Sequence, residues 1–195
     1  MVDIPLKCRC GQVKGVAHDV TPQNGIRAMC YCDDCQAFAK FLEQETTVLD
    51  EYGGTDIFQM TPSQMEFTEG GDKLRCVRLK KKGLYRWYTG CCNTPIGNTI
   101  GAGYAFIGVI HNIMDDDGVR VQNLGPIHTF VQGNYATKEL PLERFNKGFP
   151  FMTTLRVLWK LIIWRLQGKH QPSPFFQKDG KAVSRPIVRD SAEKD

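Results

Sequence analysis

The sequence predicts a mainly β domain with short helices, extended at its C-terminus by a longer helix and an arm. Two observations carry this. Residues 53–135 are a series of short apolar runs, TDIFQM, QMEFT, LRCVRL, LYRWYTG, AFIGVI and HTFVQG, set between Gly, Pro, Asn and Asp clusters of the kind that punctuate hairpins and meanders. From about Pro150 the pattern changes to TTLRVLWKLIIWRLQG, which has the composition and terminal glycine of a helix of roughly four turns. The 195 residues suit one domain, 1–149, followed by an extension, 150–195.

Taken in order, residues 4–50 carry five of the eight cysteines. Residues 27–29 read as a short strand that delivers Cys30. A helix is expected over 33–42, because Phe38, Phe41 and Leu42 recur at helical spacing while Asp33 and Asp34 complement the positive end of its dipole. EGGDK at 69–73 and MDDDG at 114–118 are the clearest turns. The apolar run 155–166 is broken by Arg156, Lys160 and Arg165 and falls short of the roughly 20 residues that span a bilayer. Its apolar residues cover most of the helix circumference, so the helix is expected to pack against the β-core. Trp159, Trp164 and the three cations make contact with a membrane surface or a partner, through residues 153–167, the alternative. Phe175 and Phe176 are expected to anchor the arm to the body.

Hydrophobic residues make up 42 % and charged residues 24 %, with a formal net charge of +4, an ordinary globular composition. That charge permits an anionic ligand but argues against nucleic acid, which calls for clustered Lys and Arg. The opening MVDIPLKCRCG has no apolar stretch resembling a signal peptide, so a reducing cytoplasm is the expected location. Clustered cysteines there bind metal or react more often than they pair as disulfides.

Cys8 and Cys10 form C-x-C before Gly11, and Cys30, Cys32 and Cys35 form C-x-C-x-x-C. Cys91 and Cys92 are adjacent, and Cys76 stands alone in an expected strand. Zinc takes four thiolate or imidazole ligands at tetrahedral angles, and closely spaced cysteines supply two of them from one loop. Cys8 and Cys10 need two further ligands, and suit a closed structural site completed by the Cys91–Cys92 segment. Both of that pair reach one metal only in a tight turn, since adjacent residues of an extended strand point to opposite faces. Cys30, Cys32 and Cys35 already supply three, which leaves one tetrahedral position for water or a substrate thiolate. This second run is therefore the catalytic candidate, and two Zn2+ per chain are expected. A disulfide framework, or thiols that are redox-active without metal, are the competing readings.

CRCGQVKG, CYCDDCQAF and RWYTGCCNTPIG resemble, in order and approximate spacing, the motifs of the glutathione-dependent formaldehyde-activating enzymes and centromere protein V relatives, over about residues 6–135. The resemblance implies an Mss4-like zinc-binding β-fold. It places a structural zinc on Cys8, Cys10 and Cys92, and a second on Cys30, Cys32 and Cys35, where the family's carbon-sulfur lyases bind glutathione. The implied activity is the joining of glutathione, or another small thiol, to formaldehyde or a similar aldehyde. Thr89 stands at the first cysteine of the family's last motif and Asn93 at the glycine after the second, so Cys91 or Cys76 is left to supply a fourth ligand. The tail beyond Pro150 lies outside the core pattern and is similar to that of a bacterial branch of the superfamily. The alternative function is a non-catalytic, zinc-stabilised binding module that meets a partner or membrane through its C-terminal helix.

Glutathione carries two carboxylates, for which Arg75, Arg78, Arg86 and the lysines at 80–82 are candidate partners; a solvated hairpin edge explains the same cations. GAGYAF at 101–106 lacks the third glycine and the following helix of a dinucleotide loop and reads as a turn. His111 near the acidic run reads as a loop edge, and His18, His128 and His170 are scattered. Trp87 and Tyr88 are expected to pack around a metal knuckle rather than stack on bases.

Overall fold

The structure, a computed structural model, describes residues 1–115 and 118–189. Asp116 and Asp117 of the expected 114–118 turn lie outside the described residues. The strands are β1 (Val2–Lys7), β2 (Lys14–Val20), β3 (Ile26–Cys30), β4 (Thr55–Met60), β5 (Met65–Glu69), β6 (Leu74–Arg78), β7 (Tyr85–Thr89), β8 (Pro95–Thr99), β9 (Ile107–Ile110), β10 (Thr129–Val131) and β11 (Ile187–Val188). The α-helices are α1 (Asp33–Phe41), α2 (Glu45–Val48), α3 (Arg120–Leu124) and α4 (Phe151–Leu166). The chain is mainly β, as its alternating runs predict.

Strands β1, β2 and β5 form a small antiparallel sheet; the other eight are ordered β10-β3-β4-β9-β8-β7-β6-β11, antiparallel except at the two outer pairs. The two-residue period of a strand sorts neighbours onto opposite faces. Cys76, Trp87 and Val109 turn toward the small sheet and share a core with Ile4, Leu6, Val13, Ala17 and Met65. Their successors Val77, Tyr88 and Ile110 turn the other way, onto Phe38, Ala39 and Leu42 of α1 and Val48 of α2. The large sheet is thus the middle layer, with the small sheet on one face and α1 on the other.

The expected strand of residues 27–29 lies within β3, and the expected helix is α1 with Leu42 as its C-cap. TDIFQM matches β4 residue for residue. The EGGDK turn holds Gly70 at φ 70°, where a side chain would also meet the Gln12 carbonyl. It joins β5 of the small sheet to β6 of the large one instead of closing a hairpin. GAGYAF is irregular and turn-like, as read.

Phe175 and Phe176 are buried, with ring centroids 5.0 and 5.6 Å from Trp87, and Tyr85 meets Phe176 edge-on. The arm is anchored as expected, and β11 then pairs in parallel with β6. Helix α4 departs from the expected packing. Only Trp164 of its residues is buried. Its body-facing side carries Thr153, Thr154, Val157, Lys160 and Trp164; the Lys160 ammonium donates to the carbonyls of Gln23 and Gly25 at 2.9 and 3.2 Å, and a cavity of ≈ 300 Å³, which Phe149 and Leu158 also line, lies between the helix and β3 and β10. Among the described residues no helix is long and apolar enough to cross a membrane.

Candidate metal centres

Two hairpin loops meet at one end of the molecule. Residues 8–13 join β1 to β2, and residues 90–94 join β7 to β8. The Arg9 amide donates to the Thr94 hydroxyl at 3.0 Å and so ties the two loops together. Their sulfurs converge: Cys8 Sγ lies 3.5 Å from Cys10 Sγ and 3.8 Å from Cys91 Sγ, which is 3.8 Å from Cys92 Sγ. Sulfurs around a tetrahedral zinc, each about 2.3 Å from it, stand about 3.8 Å apart. The four thiols therefore fit that ion. Cys91 and Cys92 both face the cluster because they lie in a turn, which Asn93 closes at φ 55°, a conformation asparagine adopts more readily than most residues.

The surroundings favour a thiolate at Cys92. The Val13 amide donates to Cys8 Sγ at 3.2 Å. Burial alone raises the Cys92 pKa, but the Thr89 and Thr94 hydroxyls, 3.5 and 3.2 Å from its sulfur, help bring it down to about 5. Cys91 is pushed up to about 12 by burial and by its neighbour Cys10. One ready thiolate among closely packed thiols is the arrangement expected where a cation completes the charge balance.

The second cluster forms where β3 runs into α1. Cys30 ends the strand, Cys32 is the helix N-cap with extended φ and ψ of −62° and 149°, and Cys35 lies in the first turn. The Cys35 and Gln36 amides donate to the Cys32 carbonyl at 3.1 and 3.3 Å, which folds the three sulfurs back onto one another. Cys30 and Cys35 are 4.0 Å apart at sulfur, and all three ligand atoms lie within 4.8 Å of one another. No fourth His, Cys, Asp or Glu joins this group among the described residues.

A buried guanidinium backs it. Arg86 of β7 points to the α1 face, with Nη1 3.8 Å from Cys35 Sγ and 3.2 Å from Asn98 Oδ1, and Nη2 3.6 Å from Asp34. Hydrogen bonds from Cys30 and Cys32, with help from Arg86, hold Cys35 well below the ordinary thiol range. Its contacts with Cys32 and Cys35, with burial, raise Cys30. Lys80 reaches Asp34 at 2.9 Å from the sheet edge.

The two clusters could each hold a metal ion, and together they take in every cysteine except Cys76. Cys76 belongs to the core under the small sheet, beside Trp87, on the face of β6 away from α1. It is thus no ligand of either group, and Cys91 is the fourth sulfur of the first. All eight cysteines are free thiols, which leaves the disulfide framework without support. Of the candidate cations, Arg86 and Lys80 belong to this region, whereas Arg75 bonds carbonyls of Asp72 and Leu74, and Arg78 packs over Tyr85. His111 is half-buried and its pKa is lowered mainly by desolvation, and His18 pairs with Asp3 and Glu66. Trp87 and Tyr88 pack in the two cores rather than at a surface. Asn98 and the Thr89 and Thr94 hydroxyls went unanticipated; their only sequence signal is polarity inside strands and turns whose neighbours are apolar.

A family model described as a family of unknown function (DUF6151) matches residues 1–186. No curated protein matches the chain.

Proposed function

The chain belongs to the DUF6151 family, and from its two cysteine clusters we propose a zinc protein with one structural and one reactive site, acting as a carbon-sulfur lyase on adducts of a small thiol such as glutathione with formaldehyde or a similar aldehyde. The observation that carries the reading is the difference in valence. Four sulfurs close the first site, while Cys30, Cys32 and Cys35 stop at three. A zinc ion held by those three supplies Lewis acidity to one exogenous ligand and lowers the pKa of a thiol that takes that place.

The protein's own groups do the rest. Three thiolates outweigh a divalent ion by one negative charge, and Arg86, buried and 3.8 Å from Cys35 Sγ, supplies the balancing positive charge. Asn98 and Asp34 hold that guanidinium in place. Cys32, half-buried where the other two are buried, is the thiol on the solvent side and marks the approach. In the condensation, the thiol proton passes to the carbonyl oxygen as the C–S bond forms and the C=O π bond breaks, giving a hemithioacetal; cleavage is the reverse. The resemblance of CYCDDCQAF to the formaldehyde-activating enzymes supports the substrate class.

The test is the exchange rate between glutathione, formaldehyde and their adduct, followed by NMR with the zinc-loaded chain. Acceleration that Cys32→Ser abolishes is the expected result, and exchange no faster than in buffer would overturn the lyase reading. A second expectation concerns Arg86→Gln. Groups that buttress ligands typically govern affinity by about 10–100-fold. Competition with a chromophoric chelator is expected to show a loss of that size at one zinc per chain and none at the other; equal affinities for wild type and variant would remove Arg86 from the site.

A further inference from the structure

We propose that α4 is an interfacial anchor that lays its outer face on an anionic membrane surface. This is independent of the chemistry at the cysteine clusters. At 3.6 residues per turn, Phe151, Ile162, Leu155, Leu166, Trp159 and Met152 fall on an arc of about 100°. Every one of them is exposed, with Trp159 at 64 %, Phe151 at 78 % and Leu166 at 83 %. The side toward the body mixes polar Thr153, Thr154 and Lys160 with Val157 and the buried Trp164, while this run of large apolar residues on the other side is left uncovered. An apolar surface of this extent marks an interaction site.

Charge selects the occupant. On the same helical wheel Arg165 lies about 40° beyond one edge of the apolar arc and Arg156 about 40° beyond the other, where long basic side chains can lay their stems along a hydrocarbon surface and keep their heads among phosphates. Residues 144–178 contain no Asp or Glu, while Arg156, Lys160, Arg165 and Lys169 all lie within them. A second copy of the same helix would bring these cations together across the contact, which like-charge repulsion opposes. An anionic bilayer surface satisfies both the apolar arc and its basic borders. The helix is too short to span, so it lies in the interface plane.

The experiment is co-sedimentation of the full-length chain with phosphatidylcholine vesicles, with and without phosphatidylserine. Binding is expected only where phosphatidylserine is present, and it is expected to weaken as salt is raised. Arg156→Gln with Arg165→Gln is expected to reduce it about thirtyfold, since each basic residue at an anionic surface is worth about a factor of five. Leu155→Ser with Ile162→Ser is expected to abolish it. All four positions are exposed, so an unchanged unfolding midpoint confirms that each variant is folded. Equal binding to both vesicles, no binding to either, or a dimer in analytical ultracentrifugation that Leu155→Ser with Ile162→Ser dissolves would overturn the proposal.

Discussion

Cys91→Ser is expected to cost the chain its cooperative fold. Cys91 is one of four sulfurs at the junction of the β1–β2 and β7–β8 loops, which belong to different sheets. With zinc in place that junction is a cross-link between the sheets, formed only in the folded state, so its binding free energy is folding free energy. Structural zinc sites contribute about 10–16 kcal/mol in small zinc-finger peptides, against a total domain stability of about 5–15 kcal/mol. Even a fraction of that loss is enough. The expected result is loss of one zinc per chain together with a broadened or absent urea transition, reproduced in the wild type by a strong chelator. Cys76→Ala is the matched control: it is buried outside both clusters, and should keep both metals while losing stability only as a core truncation. A Cys91→Ser protein with full zinc and an unchanged midpoint would exclude the four-sulfur assignment.

The next largest effect is expected at a site without metal. Arg27 of β3 and Asp56 of β4 form a two-pronged pair, Nε to Oδ1 at 3.0 Å and Nη2 to Oδ2 at 2.7 Å, with less than a tenth of either side chain exposed. Arg27 Nη1 also donates to the Gly125 carbonyl at 2.7 Å, which pins the end of α3 to the large sheet. Removing one partner strands the other charge in a medium that solvates it poorly, a loss of about 3–5 kcal/mol. Asp56→Ala should therefore lower the unfolding free energy by about that much in denaturant titration. Arg27→Met with Asp56→Leu should cost much less than the two single changes combined, because both buried charges go together and only the partly exposed Arg120, 3.9 Å from Asp56 Oδ2, loses a neighbour. A loss below about 1 kcal/mol for Asp56→Ala would mean that solvent reaches the pair.

What the sequence disclosed and what it withheld follow from the range of the forces involved. Period-two alternation and turn residues are local, so β4, β6, β7, β9 and β10 could be read directly, as could α1 with its paired aspartates. The PIGNT segment that becomes β8 has Pro, Gly and Asn, reads as a loop, and is a strand because it is buried between β7 and β9. Strand β1 does alternate, with Ile4 and Leu6 inward, but Pro5 between them obscured it. The cysteine spacings announced two clusters. They could not decide between Cys76 and Cys91, because that choice depends on which face of β6 Cys76 occupies. Arg86 stood among several candidate cations, and only the pairing of β7 with β8, which sets it beside Asn98, singles it out. The outward face of α4 was hidden for a simpler reason: a helix apolar on most sides does not declare which side meets the body.

Zinc per chain tests the two-site assignment most directly, measured by elemental analysis on protein purified without added metal, wild type beside Cys32→Ser. About two ions are expected in the wild type and about one in Cys32→Ser with its cooperative unfolding retained, since only the three-sulfur site is touched. One ion or none in the wild type, or a content that Cys32→Ser leaves unchanged, would contradict it.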